Sequence, residues 1–212
     1  MGDGHPKTAR ADHEILDLIR RRWSPRAFDP ERLVPPDELL RLFEAARWAP
    51  SSSNEQPWRF VVTLRDADRA AFDQLYSSLT TSNQSWASAA PVLALVAVRQ
   101  TFEQTDAANA HAWWDAGQAA AYLTLQATSQ GLSVRQMAGF DVSTARAACD
   151  VPPAFEPAVI LAIGYAGDPE RLARESHRHA EIAPRVRRPL GESVFEARWG
   201  KGDGVLFNRS GQ

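Results

Sequence analysis

The sequence predicts an α+β fold, a central mixed sheet of four to five strands flanked by helices, within a single domain spanning 1–212. Three observations carry this reading. WRFVVTL (58–64), PVLALVAV (91–98) and PAVILAIGY (157–165) are apolar runs of strand length, rich in β-branched and aromatic residues. Between the second and third lies an alanine-rich stretch, about 107–130, long enough for an extended helix. Helical and strand patterns alternate loosely, with neither an internal repeat nor a linker to divide the 212 residues.

Taken in order, Asp12 to Trp23 sets Ile15, Leu16, Ile19 and Trp23 on one helical face, with Asp12 as N-cap and Pro25 as the stop. A second helix opens at Pro35-Pro36-Asp37-Glu38, good first-turn chemistry, and runs through Leu39, Leu42, Phe43 and Ala46 until Pro50. The polar connector APSSSNEQPW (49–58) then leads into the first strand. Residues 66–79 read as helix and 77–90 as a small, polar connector. The unbroken apolar run 91–98 predicts a central strand buried on both faces. The helix over 107–130 carries Trp113, Leu123 and Leu125, is closed by Gly131, and is expected to be buried all round. Leu132–Met137 reads as a short strand, Gly139-Phe140-Asp141 as a turn, 143–149 as a small helix and 157–165 as a strand. After Gly167 the chain turns polar and arginine-rich. An arm of that composition cannot bury much against its own core, so a partner surface is expected, most simply a second copy of the chain. Residues 1–11 and 205–212 are expected to be flexible ends.

Composition narrows the function. With a formal net charge of -2, there is no global basic field for nucleic acid or an anionic membrane. Cys149 is the single cysteine, which excludes an intrachain disulfide and a cysteine-based zinc cluster and suits a reducing cytoplasm. The opening MGDGHPKTAR has no apolar run, so no signal peptide is expected, and 91–98 is too short to span a bilayer. Glycine-rich nucleotide fingerprints are missing. His177 and His179 form a His-x-His pair without a third ligand, so no metal site is expected. His111 and Asp115, four apart on the long helix, suit a structural hydrogen bond.

The arginines are more informative. Arg22, Ser24 and Arg26 surround a helix C-terminus, either capping its free carbonyls or supplying positive charge to an anion. Arg185, Arg187 and Arg188 form a second cluster near the other end, either a basic surface tail or part of a phosphate grip. Planar guanidinium forks suit a dianion if the fold brings the two clusters together.

Six stretches then fall into a recognisable order along nearly the whole chain. They are RRWSPRAF (21–28), APSSSNEQPW (49–58), Asn83 eight residues before Pro91, Asp115-Ala-Gly-Gln, Met137-Ala-Gly-Phe-Asp and RVRRPLGESVF (185–195). Together they resemble the nitroreductase-like flavoproteins. The resemblance implies a nitroreductase-like homodimer with FMN in two interface sites and a C-terminal arm wrapping the partner. Arg22, Ser24, Arg185 and Arg187 would hold the FMN phosphate, with Trp23 packing inside the motif. Arg26 would reach the pyrimidine edge near N1 and the C2 carbonyl, and Asn83 the polar edge. Met137, Ala138 and Gly139 would line the ring, with the Ala138 N–H facing N5. Pro50, Ser51, Ser52, Asn54 and Gln56 would come from the other subunit.

One departure stands out: some relatives carry lysine three residues after the asparagine, where this chain has Trp86. More weight then falls on Arg26, and Trp86 becomes a candidate wall of the substrate pocket. The implied activity is ping-pong hydride transfer from NADH or NADPH through FMN to small acceptors such as nitroaromatics or quinones. The flavin carries the chemistry, so no side chain is singled out as catalytic. Two alternatives stay open: a specialised flavoprotein of the same fold, such as a dehalogenase or ring-fragmenting enzyme, and a non-catalytic FMN-binding dimer. The short 79–91 and 99–110 segments favour the simple reductase.

Overall fold

The computed structural model describes residues 5–201 and Leu206. Its sheet has four strands, β1 (Trp58–Leu64), β2 (Val92–Arg99), β3 (Ser133–Met137) and β4 (Phe155–Gly164), in the order β1-β2-β4-β3. Every pairing is antiparallel, which corrects the expected mixed sheet. The reason lies in the connection. Helix α5 (Ala112–Ser129) carries the chain back so that β3 runs parallel to β2, but β4 inserts between them and pairs antiparallel with both.

β2 is buried along its length, as its continuous apolar run requires. Its alternate side chains serve two cores. Val92, Ala94, Val96 and Val98 meet Leu161, Ile163 and Val134 under α2 (Pro36–Arg47) and α5. Leu93, Leu95 and Ala97 meet Ile160, Ala162 and Met137 on the opposite face. That face is covered by α3 (Arg69–Ser77), α4 (Thr81–Ala87) and α6 (Val142–Ala148), through Phe72, Leu75, Trp86 and Ala145. Helix starts follow local chemistry: Pro36 stands in the first turn of α2, and the Asp68 and Asp141 carboxylates accept the N–H groups of Ala71 and Thr144 at 3.0 and 2.7 Å.

Four expectations are corrected. The first helix, α1, covers only Asp17–Arg21, because Ile15 and Leu16 are 38% and 71% exposed and nothing rewards earlier turns with burial. The connector after α3 contains α4, with Trp86 driven inward. The polar region after Gly167 contains α7 (Glu175–Ile182), which buries His177 and Glu181. Helix α5 is not buried all round in the single chain: Trp113, Trp114, Gly117, Ala121 and Tyr122 face outward.

The expected flexible ends fall mostly outside the described residues. Within them, Lys7 is buried, its ammonium donating to the carbonyls of Ala180 and, at 2.6 Å, Ala183 at the end of α7. Beyond α7 the chain has only a short helical turn at Leu190–Glu192, and Val186 and Trp199 are exposed. No helix among the described residues is long and apolar enough to cross a membrane.

Candidate functional site

Two arginine clusters distant in sequence meet where α1 ends. Arg22 is the C-cap of α1, and its guanidinium donates to the Ser24 hydroxyl at 3.1 Å. Arg185, on the chain after α7, donates to the main-chain carbonyls of Arg20 and Arg22. Arg187 is close enough to depress both: burial and then the neighbouring arginine charges lower Arg22 and Arg185 below the usual guanidinium range. A cleft of about 960 Å³ opens here, with Arg22, Arg185 and Arg187 facing the chain from Ala9 to Ile19.

A second group of cations lies near Glu181. Burial lowers the Lys7 ammonium below its usual range, Glu181 opposes the shift and Arg185 and Arg26 add to it, and the ammonium lies 5.6 Å from the Trp23 ring. Glu181, 2% exposed, accepts the main-chain N–H groups of Arg26 and Ala27 at 2.9 and 3.4 Å. Arg135, from β3, donates to the Ser24 carbonyl at 2.6 Å and sits 5.4 Å from the Trp86 ring. Burial, with Arg26 close by, pulls its guanidinium down to about 10. Arg22, Arg185 and Arg187 thus line the cleft, while Lys7, Arg26 and Arg135 gather near the buried Glu181 carboxylate.

At the far end of β3, Asn83 from α4 donates its side-chain N–H to the Gly139 carbonyl at 3.0 Å, leaving Oδ1 without a partner among the described residues. A Cβ at Gly139 would lie 2.9 Å from Asn83 Nδ2 and 3.0 Å from Thr80 Oγ1, so a larger residue would displace the Asn83 amide from the Gly139 carbonyl. Met137 is buried beneath this turn and Ala138 is exposed above it. Among the described residues, four buried side-chain atoms lack a hydrogen-bond partner: Trp23 Nε1, Trp86 Nε1, Asn109 Nδ2 and Arg185 Nε. All four are donors; Arg185 lines the large cleft and Trp23 the small cavity that Arg22 also lines. Such a lining calls for a ligand rich in acceptors and negative charge, and the phosphate, ribityl chain and pyrimidine edge of FMN answer that description.

The structure therefore brings together Arg22, Trp23, Ser24, Arg26, Arg185 and Arg187, and separately Asn83 with Met137, Ala138 and Gly139. Within one chain it does not bring Pro50, Ser51, Ser52, Asn54 or Gln56 to either group. The 49–58 loop belongs to the opposite end of α5, where the buried Asp115 carboxylate accepts the Ser52 N–H at 3.0 Å. Asp115 is therefore engaged with this loop, in place of the side-chain bond to His111 expected from their spacing. Arg22 instead lines a small cavity with Thr128 and Leu132. Thirteen residues of α5, about 20 Å at 1.5 Å per residue, separate these ends. Ser53, Asn54 and Gln56 all have positive φ (53°, 55° and 50°), a strained path held by Gln56 N–H to Ser51 Oγ at 3.0 Å. Sequence reasoning overlooked Arg135, Lys7 and Glu181; the one available signal was a charged residue within SVRQM, a short strand whose Ser133, Val134 and Met137 are buried.

Trp86 is not a pocket wall within the single chain. It is 3% exposed, stacked 6.2 Å from Phe28 and covered by Arg135.

A family model described as the nitroreductase family matches residues 19–165. An uncharacterized 15.4 kDa protein of Mycolicibacterium smegmatis is 37% identical over 148 residues, 67% of this chain and 97% of that protein. The major NAD(P)H-flavin oxidoreductase of Aliivibrio fischeri is 29% identical over 94 residues, 44% of this chain and 43% of that one. A solved structure described as an oxidoreductase containing FMN superposes with a TM-score of 0.85 at 31% identity, covering 95% of this chain and 100% of the other.

Proposed function

Because this chain belongs to the nitroreductase family, we propose that it is an FMN-dependent NAD(P)H oxidoreductase, passing two electrons from NADH or NADPH to small acceptors such as nitroaromatics or quinones in a ping-pong sequence. The observation that carries this reading is the cluster of Arg22, Arg185 and Arg187. Burial and then the neighbouring arginine charges lower Arg22 and Arg185, and among the described residues Arg185 Nε is buried without a partner and no carboxylate forms an ion pair with the three. Desolvated like charges destabilise a fold unless an anion joins them, and a phosphate dianion turns the repulsion into charge-assisted hydrogen bonds.

Arg22, Ser24, Arg185 and Arg187 would hold the phosphate. Arg26 would stand at the pyrimidine edge, Asn83 Oδ1 would accept from the ring N3–H, and the Ala138 N–H would face N5 above buried Met137. When bound, FMN supplies hydride acceptance and release at N5, chemistry that no side chain here offers. The chain's own work is to fix the ring, bias its charge and leave one face open to donor and acceptor in turn.

The 20 Å between the arginines and the 49–58 loop supports a homodimer. Two copies paired antiparallel along α5 bring the Pro50–Gln56 loop of one to the groove of the other. The outward residues Trp113, Trp114, Gly117 and Tyr122 supply an apolar face for that pairing. The exposed chain beyond α7 would then lie on the partner.

The decisive experiment is the visible spectrum of the protein after FMN reconstitution, with anaerobic addition of NADH or NADPH. Uptake of FMN followed by bleaching with either nucleotide is expected. Failure to bind FMN would remove the flavoprotein reading, and binding without bleaching would remove the reductase.

A further inference from the structure

Lys7 stands in a polar stretch that reads as a loose end, yet it is 7% exposed. Its ammonium donates to the carbonyls of Ala180, in the last turn of α7, and of Ala183, the C-cap residue, the latter at 2.6 Å. A cation suits the free carbonyls of a helix C-terminus, and two bonds from one ammonium fix how the chain leaves it. Pro184 follows, which cannot continue the helix, and Arg185 comes next. Arg185 then donates to the carbonyls of Arg20 and Arg22. The Ala9 N–H donates to that same Arg20 carbonyl at 2.9 Å, so the N-terminal segment meets Arg185 both through α7 and through α1. Beyond Ala9 the chain lines the 960 Å³ cleft together with Arg22, Arg185 and Arg187. Burial works against the Lys7 charge, Glu181 offsets part of that cost, and Arg185 and Arg26 add to it. A methionine would avoid the cost and leave both carbonyls without this donor.

We propose that Lys7 is a positioning residue for the phosphate end of the flavin site: by capping α7 it aims the following chain so that Arg185 stays against Arg20 and Arg22, and it raises FMN affinity through Arg185. It rests on the proposed flavin function of the site. The phosphate grip then has three parts far apart in sequence: the end of α1, the chain after α7 and the N-terminal segment that joins them. Arg185 would contact the phosphate, whereas Lys7 would act only through the path of the chain between Ala183 and Arg185.

The test is a double-variant cycle on FMN affinity, read by fluorescence quenching. Lys7→Met should weaken FMN binding by about tenfold, the low end of the range for one charge-assisted hydrogen bond. Added to Arg185→Ala, the same change should weaken binding by less than about twofold, since the residue through which Lys7 acts is gone. A merely structural lysine would weaken both backgrounds alike. Lys7→Arg, which keeps donors for the same two carbonyls, should recover most of the loss. In the wild type, FMN should slow amide exchange at Ala9 and Ala183, whose N–H groups bond to Arg20 and His179, and FMN-loaded Arg185→Ala should lose that slowing. This readout stands even if Lys7→Met does not fold. An undiminished loss on the Arg185→Ala background, no loss in Lys7→Met, no recovery in Lys7→Arg or unchanged exchange would overturn the positioning role while leaving the flavoprotein reading in place. A wild type that takes up no FMN would bring both down.

Discussion

Arg185 and Arg187 should separate two kinds of loss when each is replaced by alanine. Arg187 makes one recorded hydrogen bond, to the carbonyl of its neighbour Val186 at 2.9 Å, and otherwise contributes charge to the cleft. Arg185 also ties the chain after α7 to the carbonyls of Arg20 and Arg22. A charge-assisted hydrogen bond to phosphate contributes roughly 1.5–3 kcal/mol, so each single variant should weaken FMN binding by about 10- to 150-fold. The double variant should lie near the lower end of the summed range, several hundred-fold, because removing either arginine relieves the mutual repulsion with Arg22 in the FMN-free protein. Stability should respond differently. Arg185→Ala leaves two carbonyls short of a donor and should lower the melting temperature of the FMN-free protein by about 2–4 °C for roughly 1 kcal/mol. Arg187→Ala should leave it unchanged or raise it. FMN fluorescence quenching gives the dissociation constants and a thermal melt without FMN gives the second half. Unchanged FMN affinity in Arg187→Ala, or equal melting losses in both variants, would refute the assignment of this cluster to the phosphate.

Three further outcomes are expected. Gly117→Glu meets no atom within 4 Å in the single chain, so a monomer would gain about 0.5–1 kcal/mol of helix propensity, whereas a dimer paired along α5 should dissociate; light scattering on a sizing column decides the sign. Asp115→Ala leaves the Ser52 N–H unsatisfied under a strained loop, and should cost about 1–3 kcal/mol in melting experiments, with faster amide exchange at 51–56. Burial, then Arg26, Arg174 and Arg135, hold the His177 imidazole below its usual range. The unfolded chain takes up that proton near pH ~6.5 and the fold only at lower pH, so stability present at neutral pH should decline on acidification, and His177→Phe should flatten the decline between pH 7.5 and 5.5.

How far the sequence reaches is visible element by element. PVLALVAV is legible because both faces of the sheet are covered at β2 and the strand carries its burial in its own residues, and WRFVVTL because β-branched and aromatic residues fill it even at the half-exposed edge. The α2 start is legible because Pro36, Asp37 and Glu38 act within one turn. α4 and α7 escape such reading, since TSNQSWA and ESHRHAEI are short, polar segments made helical by what Trp86, His177 and Glu181 bury. The antiparallel sheet escapes it too, because the insertion of β4 between β2 and β3 is a long-range event. At the site, the arginine motifs are legible as a recurrent pattern, but the convergence of Lys7, Arg135 and Glu181 depends on contacts more than a hundred residues apart. The 49–58 loop marks a third kind of limit: its donors are evident, and their place at the far end of α5 is a property of three-dimensional packing alone.

The cluster of Arg22, Arg185 and Arg187 also has a consequence for the protein's lifetime. If FMN phosphate joins these charges, the FMN-free fold is the weaker member of the pair. A ligand that binds only the native state adds RT ln(1 + [L]/Kd), about 2.7 kcal/mol at a hundredfold excess over Kd. Newly made chains that meet abundant FMN would be fixed in the folded state. Those made when FMN is scarce would open more often and fall to proteolysis, so the amount of protein present would follow the supply of FMN.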